Sequence, residues 1–146
     1  MWQHARQNRM SKAAERLKEY GIKPSVQRVA IMEYLLNHKN HPTVDMIHHE
    51  LSERIETLSK TTIYNTLKLF AEAGAILTLN IDENTTRYDG DTSQHAHFKC
   101  CGCGNIFDIR LKNEELESIK FESTSGFEIT EKELYLKGLC PECRKQ

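Results

Sequence analysis

Two pairs of cysteines constrain this chain more than any other feature. Cys100 and Cys103 form one C-x-x-C motif and Cys140 and Cys143 form a second, with a segment between them that is long enough to fold. This spacing lets two thiolates of one tight turn approach the same metal, and two such turns supply the four sulfurs of a tetrahedral zinc site. The sequence therefore predicts a structural Zn(II) bound by these four cysteines.

Two other interpretations of the cysteines stay open at this stage. The first is a pair of disulfides, which persist mainly in oxidising compartments. The sequence begins without a secretory-type segment, so we expect a cytoplasmic protein with reduced thiols. The second is a thiol redox pair, although two motifs at opposite ends of one segment suit metal closure better. The fifth cysteine, Cys101, is spare and is predicted to be a small buried residue.

The first half of the chain has the pattern of a small helical domain. Each of four predicted helices is preceded by a serine or threonine that can cap its first turn, and Gly21 and Gly74 end the first and the fourth. Apolar residues follow at helical spacing. The caps are Ser11, Ser25, Thr43 and Ser59, and the predicted buried faces contain Val26, Val29, Ala30, Tyr34 and Leu35 in the second helix, Val44, Ile47 and Leu51 in the third, and Ile63, Leu67 and Phe70 in the fourth.

The fourth predicted helix has the side chains of a DNA-recognition helix. Its exposed face carries hydrogen-bonding residues of moderate length, and no acidic residue occurs in it before Glu72. Residues of this kind contact base edges and phosphates, whereas a solvated helix face usually mixes Glu with Lys. The predicted DNA contacts are Lys60, Thr61, Thr62, Tyr64, Asn65 and Lys68.

A β-hairpin is predicted directly after this helix. Apolar and polar residues alternate over 77–81, a polar turn follows at 82–84, and the second strand carries Arg87. A helical core followed by a hairpin indicates a winged helix-turn-helix, in which we expect Arg87 to neutralise phosphate. The formal charge is +3 over residues 1–74 and −4 over the remainder, which fits a first half that meets a polyanion.

A second group of metal ligands occurs around the end of the predicted wing. His95 and His97 form an H-x-H pair, which on a strand points both rings to one face, and Asp89 and Asp108 lie on either side of it. His41 precedes the third helix. Imidazoles and carboxylates suit Fe(II), Mn(II) or Zn(II). Surface positions without a metal are predicted for the other histidines, which are His4, His38, His48 and His49.

Together these motifs resemble the ferric uptake regulator family. The resemblance rests on the series R-Y-D, H-A-H, C-x-x-C-G and I-F-D within residues 86–108, on H-P-T at 41–43, on T-I-Y-N-T-L at 62–67, and on the second cysteine pair. It covers nearly the whole chain after residue 12. It implies a metal-dependent transcriptional repressor, rather than an enzyme, that binds a palindromic operator in double-stranded DNA as a homodimer.

The same resemblance implies an α+β fold with two domains and two metal sites. A winged helix-turn-helix DNA-binding domain is expected over 1–88, a hinge over 89–94, and a small zinc-stapled α/β dimerisation domain over 95–146. The four cysteines would bind the structural zinc. A regulatory Fe(II) or Mn(II) would be bound by His41, Asp89, His95, His97 and Asp108.

The predicted dimerisation domain has little apolar material for a core. A strand is predicted over 105–111 and a helix over 114–122, and apolar residues alternate at Phe127 and Ile129 and again at Leu134 and Leu136. A domain of this size is marginal by itself, so we expect zinc and a partner subunit to stabilise it.

Two features favour the peroxide-stress regulators within the family. Both regulatory carboxylates are aspartates, where iron-uptake members commonly have glutamate, and Asn65 stands where those members often have arginine. The resemblance then implies that peroxide oxidises His41 or His95. A third family metal site is not expected, because Gln94 and the Glu131-Lys132 pair occupy its positions. The alternative within the family is an iron- or zinc-uptake repressor.

Two alternatives come from other classes of protein. Non-haem iron oxygenases also use two histidines and a carboxylate, but the chain lacks the large barrel or substrate pocket that such chemistry needs. The second alternative is a zinc-stapled adaptor that binds only protein, which DNA footprinting would distinguish from a repressor. No run of apolar residues is long enough to cross a membrane, so no membrane partner is expected.

Overall fold

The computed structural model describes residues 10–112 and 115–146, which form two compact units. The first unit extends to Thr92 and the second starts at Ser93. The helices and small sheets confirm the predicted α+β class. The elements are α1 (Lys12–Glu19), α2 (Val26–Asn37), α3 (Val44–Leu51), α4 (Lys60–Glu72), β1 (Leu77–Leu79), β2 (Arg87–Asp89), β3 (Ala96–Cys100), β4 (Ile106–Ile109), α5 (Glu115–Ser118), β5 (Tyr135–Gly138) and α6 (Pro141–Arg144).

All four predicted helix caps are confirmed in the first unit. In each case the side-chain oxygen accepts a hydrogen bond from the backbone amide three residues further on, at 3.1 or 3.2 Å. Each bond satisfies one of the amides that a helix leaves unpaired in its first turn. Gly21 and Gly74 follow α1 and α4 with φ angles of +72° and +81°, which explains why both helices end there.

The core of the first unit lies between its four helices. The buried residues include most of the predicted ones, but the prediction for Val26 is wrong, since 80% of this residue is exposed. The buried face of α2 is centred on Ile31 and Leu35, and Val26 lies about 140° around the helix from Ile31. The largest fully buried side chains of the helical core are Leu17, Ile31, Met32, Ile47, Leu51, Ile63, Leu67 and Phe70.

The predicted wing is an antiparallel hairpin. β1 pairs with β2 so that Leu77 lies opposite Asp89 and Leu79 lies opposite Arg87. The second strand is shifted towards the C-terminus relative to the prediction. As a result, Asp89 is the last residue of this strand and belongs to the first unit.

The second unit is built on a three-stranded sheet with the order β4-β3-β5. The central strand β3 is antiparallel to β4 and parallel to β5. Of the predicted helix 114–122, residues 115–118 are helical, while residue 114 lies outside the described residues. The alternating residues Phe127 and Ile129 do not form a strand and are 79% and 46% exposed. Alternation alone does not make a strand where no neighbouring strand supplies hydrogen bonds.

Candidate metal centres and nucleic-acid interface

The structure brings the four predicted zinc ligands together in the second unit. The Sγ atoms of Cys100, Cys103, Cys140 and Cys143 all lie within 4.8 Å of one another, and those of Cys103 and Cys140 are 4.0 Å apart. In a tetrahedral site with Zn–S bonds of about 2.3 Å, the sulfurs are separated by about 3.8 Å. The described cysteines are all free thiols, not disulfides. The donor set and its spacing therefore fit zinc.

Two short turns place these sulfurs. Cys100 ends β3, and Cys140 is the residue that precedes α6, so that Cys143 follows it within one helical turn. Gly102 is required between the first two ligands, because a Cβ atom on it would lie 2.8 Å from Sγ of Cys143. Gly104 has a φ of +76°, which lets the chain turn back from the cluster into β4.

Hydrogen bonds within the cluster shift the pKa values of Cys100 and Cys143 in opposite directions. Sγ of Cys100 accepts hydrogen bonds from the backbone amides of Cys103, at 3.5 Å, and Cys140, at 3.3 Å. These amides lower the pKa of Cys100 to about 6. Hydrogen bonds with the sulfurs of Cys100 and Cys140 raise the pKa of Cys143 to about 12. A divalent metal allows all four groups to be thiolates at neutral pH, because it supplies the positive charge that they lack.

Cys101 takes no part in the cluster. The prediction that it is buried is wrong, since its side chain is exposed. Its neighbour Cys100 is buried at the end of β3, whereas Cys101 is the first residue of the turn that follows this strand.

In the first unit, His41 and Asp89 form a buried pair. Nε2 of His41 lies 3.4 Å from Oδ2 of Asp89. His41 has a φ of +48°, a conformation that costs a non-glycine residue on the order of 1 kcal/mol or more. Strand β2 holds the loop in this shape, because Arg87 donates to the carbonyl of His41 at 3.1 Å and the amide of Tyr88 donates to the carbonyl of Pro42 at 3.1 Å.

In the second unit, three candidate ligands converge on one point. Nε2 of His95 is 2.9 Å from Nε2 of His97, and these atoms lie 3.1 Å and 3.5 Å from Oδ1 of Asp108. The predicted common face of the H-x-H pair is confirmed, and the register of β3 and β4 places His97 directly opposite Asp108.

The tautomer of His95 is set by a backbone group. Nδ1 of His95 lies 2.6 Å from the carbonyl of Ser93, which can only accept a hydrogen bond. Nδ1 therefore donates, and Nε2 of the neutral ring carries the lone pair that faces His97 and Asp108. Metal-binding histidines are typically oriented in this way by a hydrogen bond from the other ring nitrogen. A cation at this point suits the three converging atoms.

The other histidines occupy different environments. The ring of His38 stacks on Tyr34 with centroids 4.2 Å apart, and its Nδ1 lies 3.0 Å from the carbonyl of the same residue. His48 and His49 lie on α3, where His49 is exposed. His4 lies outside the described residues.

The predicted recognition surface is presented by α4. Lys60, Thr61, Tyr64, Asn65 and Lys68 are exposed, and Thr62 is half-buried beside the cap. Nζ of Lys60 lies 3.0 Å from a carboxylate oxygen of Asp45, with both side chains mostly exposed. Exposed ion pairs of this kind contribute at most about 1 kcal/mol, so Lys60 can leave Asp45 for a phosphate.

Arg87 has a role that the sequence pattern did not indicate. Its Nε lies 2.6 Å from a carboxylate oxygen of Asp82, in addition to the bond from its Nη1 to the carbonyl of His41. The guanidinium group therefore ties the wing to the loop that carries His41. Its contact with phosphate stays a prediction.

None of the helices within 10–112 and 115–146 combines the length and the apolar character that a membrane span needs.

Comparison with known proteins gives concordant results for sequence and fold. The family model described as Ferric uptake regulator family matches residues 19–137. The peroxide operon regulator of Bacillus subtilis (strain 168) is 37% identical over 138 residues, which cover 94% of each protein. The peroxide-responsive repressor PerR of Staphylococcus epidermidis is 33% identical over 131 residues, which cover 89% of this chain and 87% of that protein.

A solved structure shows the same architecture. The ferric uptake regulator Fur of Helicobacter pylori superposes with a TM-score of 0.71 at 22% sequence identity, over 92% of this chain and 93% of that one. At this level of identity the similarity concerns the fold alone.

Proposed function

The chain belongs to the ferric uptake regulator family, and we propose that it is a metal-dependent transcriptional repressor that releases DNA when peroxide reaches its regulatory metal. Both relatives described above are named as peroxide regulators, and each is aligned over most of its length. The resemblance predicted from the motifs is thereby confirmed at the level of the family.

The observation that carries the proposal is the convergence of His95, His97 and Asp108. Three ligand atoms lie within 3.5 Å of one another, with His97 on β3, Asp108 on β4, His95 directly before β3, and one tautomer fixed by the carbonyl of Ser93. Nitrogen and oxygen donors of this kind suit Fe(II) and Mn(II). The second donor set, His41 and Asp89, is of the same chemical type.

We propose that one regulatory metal is bound by all five residues, with two ligands from the first unit and three from the second. A metal that needs all five binds well only when the two units adopt one relative orientation. Its binding energy therefore selects that orientation, which links metal affinity to DNA affinity. A shift from mostly open to mostly closed needs a differential of about 5.5 kcal/mol, which is within reach of a five-ligand site.

The DNA is contacted by α4 and the wing in this proposal. A homodimer would present two copies of α4 to a palindromic operator, about 34 Å apart, so that each enters the major groove on one face of the duplex. Tyr64 and Asn65 are the proposed base-reading residues, and Lys60, Lys68 and Arg87 the proposed phosphate contacts. The protein acts in the cytoplasm as a regulator rather than as an enzyme.

Peroxide sensing is assigned to the histidine ligands. An Fe(II) ion bound there would reduce peroxide and so supply the oxidant that adds oxygen to a neighbouring imidazole. His41 and His95 are the proposed targets. An oxidised imidazole ring is a poor metal ligand, so the metal would be lost and the two units would no longer be held in the DNA-binding orientation. The cysteines are less suited to this role, since thiolates in a closed tetrahedral zinc site are shielded.

The experiment is mass spectrometry of the full chain after brief exposure to peroxide. With iron bound, one added oxygen is expected on a peptide that contains His41 or His95, together with loss of operator binding. With Mn(II) bound, neither change is expected, because Mn(II) is a poorer reductant of peroxide. His49 serves as an internal control, because it is an exposed histidine that is not a proposed ligand.

Three outcomes would contradict peroxide sensing by histidine. Loss of zinc with intact histidines would assign the response to the thiols. Absence of any modification, with DNA binding retained, would leave the alternative of an iron- or zinc-uptake repressor. Equal oxidation of His49 would show that the reaction is not directed by a bound metal.

A further inference from the structure

Arg16 on α1 is connected to the candidate ligand Asp89 through a single peptide group. Nη2 of Arg16 lies 3.1 Å from the carbonyl oxygen of Gly90. The same peptide group carries the amide of Asp91, which donates to Oδ1 of Asp89 at 2.9 Å. The carbonyl of this peptide group thus accepts a hydrogen bond from the guanidinium group of Arg16. Its N–H, which points in the opposite direction, donates to the carboxylate of Asp89.

This connection leaves one carboxylate oxygen in a defined position. Because Oδ1 of Asp89 accepts from the amide of Asp91, the plane of the carboxylate is fixed with Oδ2 at 3.4 Å from Nε2 of His41. A cation bonded to a peptide carbonyl also polarises that peptide, which strengthens the hydrogen bond that its N–H donates. Arg16 therefore acts on both the direction and the strength of the bond to Asp89.

The surroundings keep the Gly90 peptide in place. Nη2 of Arg16 also lies 3.2 Å from the carbonyl oxygen of Ala75 and from Oγ1 of Thr92, so its two hydrogens are shared among three acceptors that follow α4 and β2. Gly90 packs so closely on α2 that a Cβ atom would lie 3.0 Å from the carbonyl oxygen of Leu35. A side chain at this position would require this segment or the backbone of α2 to shift by a few tenths of an ångström.

We propose that Arg16 is a positioning residue for the regulatory metal site. It orients the Gly90–Asp91 peptide group so that the amide of Asp91 donates to the carboxylate of Asp89. This inference rests on the proposed function in so far as Asp89 is a metal ligand. It adds a residue from α1, remote in sequence from every candidate ligand, to the determinants of metal affinity. Hydrogen-bond partners of a metal ligand typically change metal affinity by a factor of about 10 to 100.

The test is a double-mutant cycle on Mn(II) affinity in the full-length, zinc-loaded protein. Arg16→Met is expected to weaken Mn(II) binding about tenfold when Asp89 is present and to have no further effect in the Asp89→Ala background. Thr92→Val is the matched control, because it removes another acceptor of the same guanidinium group but leaves the Gly90 peptide intact. It should retain the wild-type Mn(II) affinity. Zinc content and thermal unfolding are measured for every variant.

A second measurement does not depend on the regulatory metal. The amide of Asp91 should exchange with solvent faster in Arg16→Met than in the wild type or in Thr92→Val, as followed by NMR in the protein without regulatory metal. If Arg16→Met does not fold, Arg16→Lys, which keeps a donor but loses the planar fork, is carried through the same cycle. Like Arg16→Met, this variant is expected to have a lower Mn(II) affinity than the wild type and an Asp91 amide that is less protected from exchange.

The outcomes separate this inference from the proposed function. Equal losses of Mn(II) affinity with and without Asp89 would show that Arg16 only supports the fold, and unchanged affinity would also overturn its positioning role. If the wild-type protein itself binds no Mn(II) or Fe(II) at this site, the proposed function fails. The orienting role of Arg16 then stands if the Asp91 amide loses its protection in Arg16→Met and is overturned if it does not.

Discussion

At the scale of single residues, the geometry of the zinc cluster requires Gly102 as well as the four cysteines. A Cβ atom at position 102 would meet both Sγ and Cβ of Cys143, at 2.8 Å and 3.0 Å. Both atoms belong to a ligand side chain that the metal would hold in place, so neither can move aside easily. Gly104, two residues further on, has open space around it and needs only its positive φ.

We therefore expect different defects from alanine at these two positions. Gly102→Ala should lower the zinc content and with it the stability of the second unit, because zinc binding contributes directly to folding. Gly104→Ala should retain zinc and lose only about 1–2 kcal/mol of unfolding free energy, which is the cost of a left-handed conformation. Zinc content by metal analysis and thermal unfolding of both variants check this. Full zinc occupancy in Gly102→Ala would show that the turn can relax.

The candidate ligands are the residues that sequence reasoning finds best. The cysteine pairs and the H-x-H motif are recognised by the spacing of their residues along the chain. The same residues contribute the candidate ligand atoms, so the motif identifies the site directly. Arg16 and the structural contacts of Arg87 were not predicted, because both side chains donate to backbone carbonyls. Every residue has such a carbonyl, so no pattern in the sequence marks the ones that are used.

At the scale of secondary structure, the helices of the first unit were predictable and the C-terminal segments were less so. A cap such as Ser59 and a stop such as Gly74 act within a few residues, and local chemistry decides them. The segment around Phe127 has the alternation of a strand but remains exposed. Whether such a segment pairs depends on a neighbouring strand, which local sequence does not specify.

The exposed face of α4 leads to a prediction that separates base reading from phosphate binding. Asn65→Ala should cost on the order of 1–3 kcal/mol in operator affinity and relax base preference at one position. Lys68→Ala, one turn further along the same helix, should weaken operator and random DNA alike and reduce the salt dependence of binding. Titrations of both DNAs at several salt concentrations distinguish the two. Equal losses on operator and random DNA for Asn65→Ala would remove this residue from base recognition.

At the scale of the whole molecule, each of the two units contains its own group of imidazole and carboxylate donors, and both groups suit the same kind of metal. His41 and Asp89 are held in the first unit by the wing, and His95, His97 and Asp108 in the second by the pairing of β3 with β4. The sequence predicted all five residues, and their joint use in one regulatory site stays a proposal. Structural zinc has a separate task, since its four ligands lie within the second unit alone.

If the two units share one metal as proposed, metal and operator bind cooperatively, and cooperativity of this kind is reciprocal. If the regulatory metal raises operator affinity by a given factor, the operator must raise metal affinity by the same factor. We expect a coupling of about 1–3 kcal/mol, and therefore Mn(II) binding that is about 5- to 150-fold tighter on the protein–operator complex than on free protein. Mn(II) titration with and without operator measures it, and Asp108→Ala, which removes a ligand contributed by the second unit, should abolish the difference. Equal Mn(II) affinities for the wild-type protein in the two states would show that the metal does not control DNA binding, whatever residues bind it.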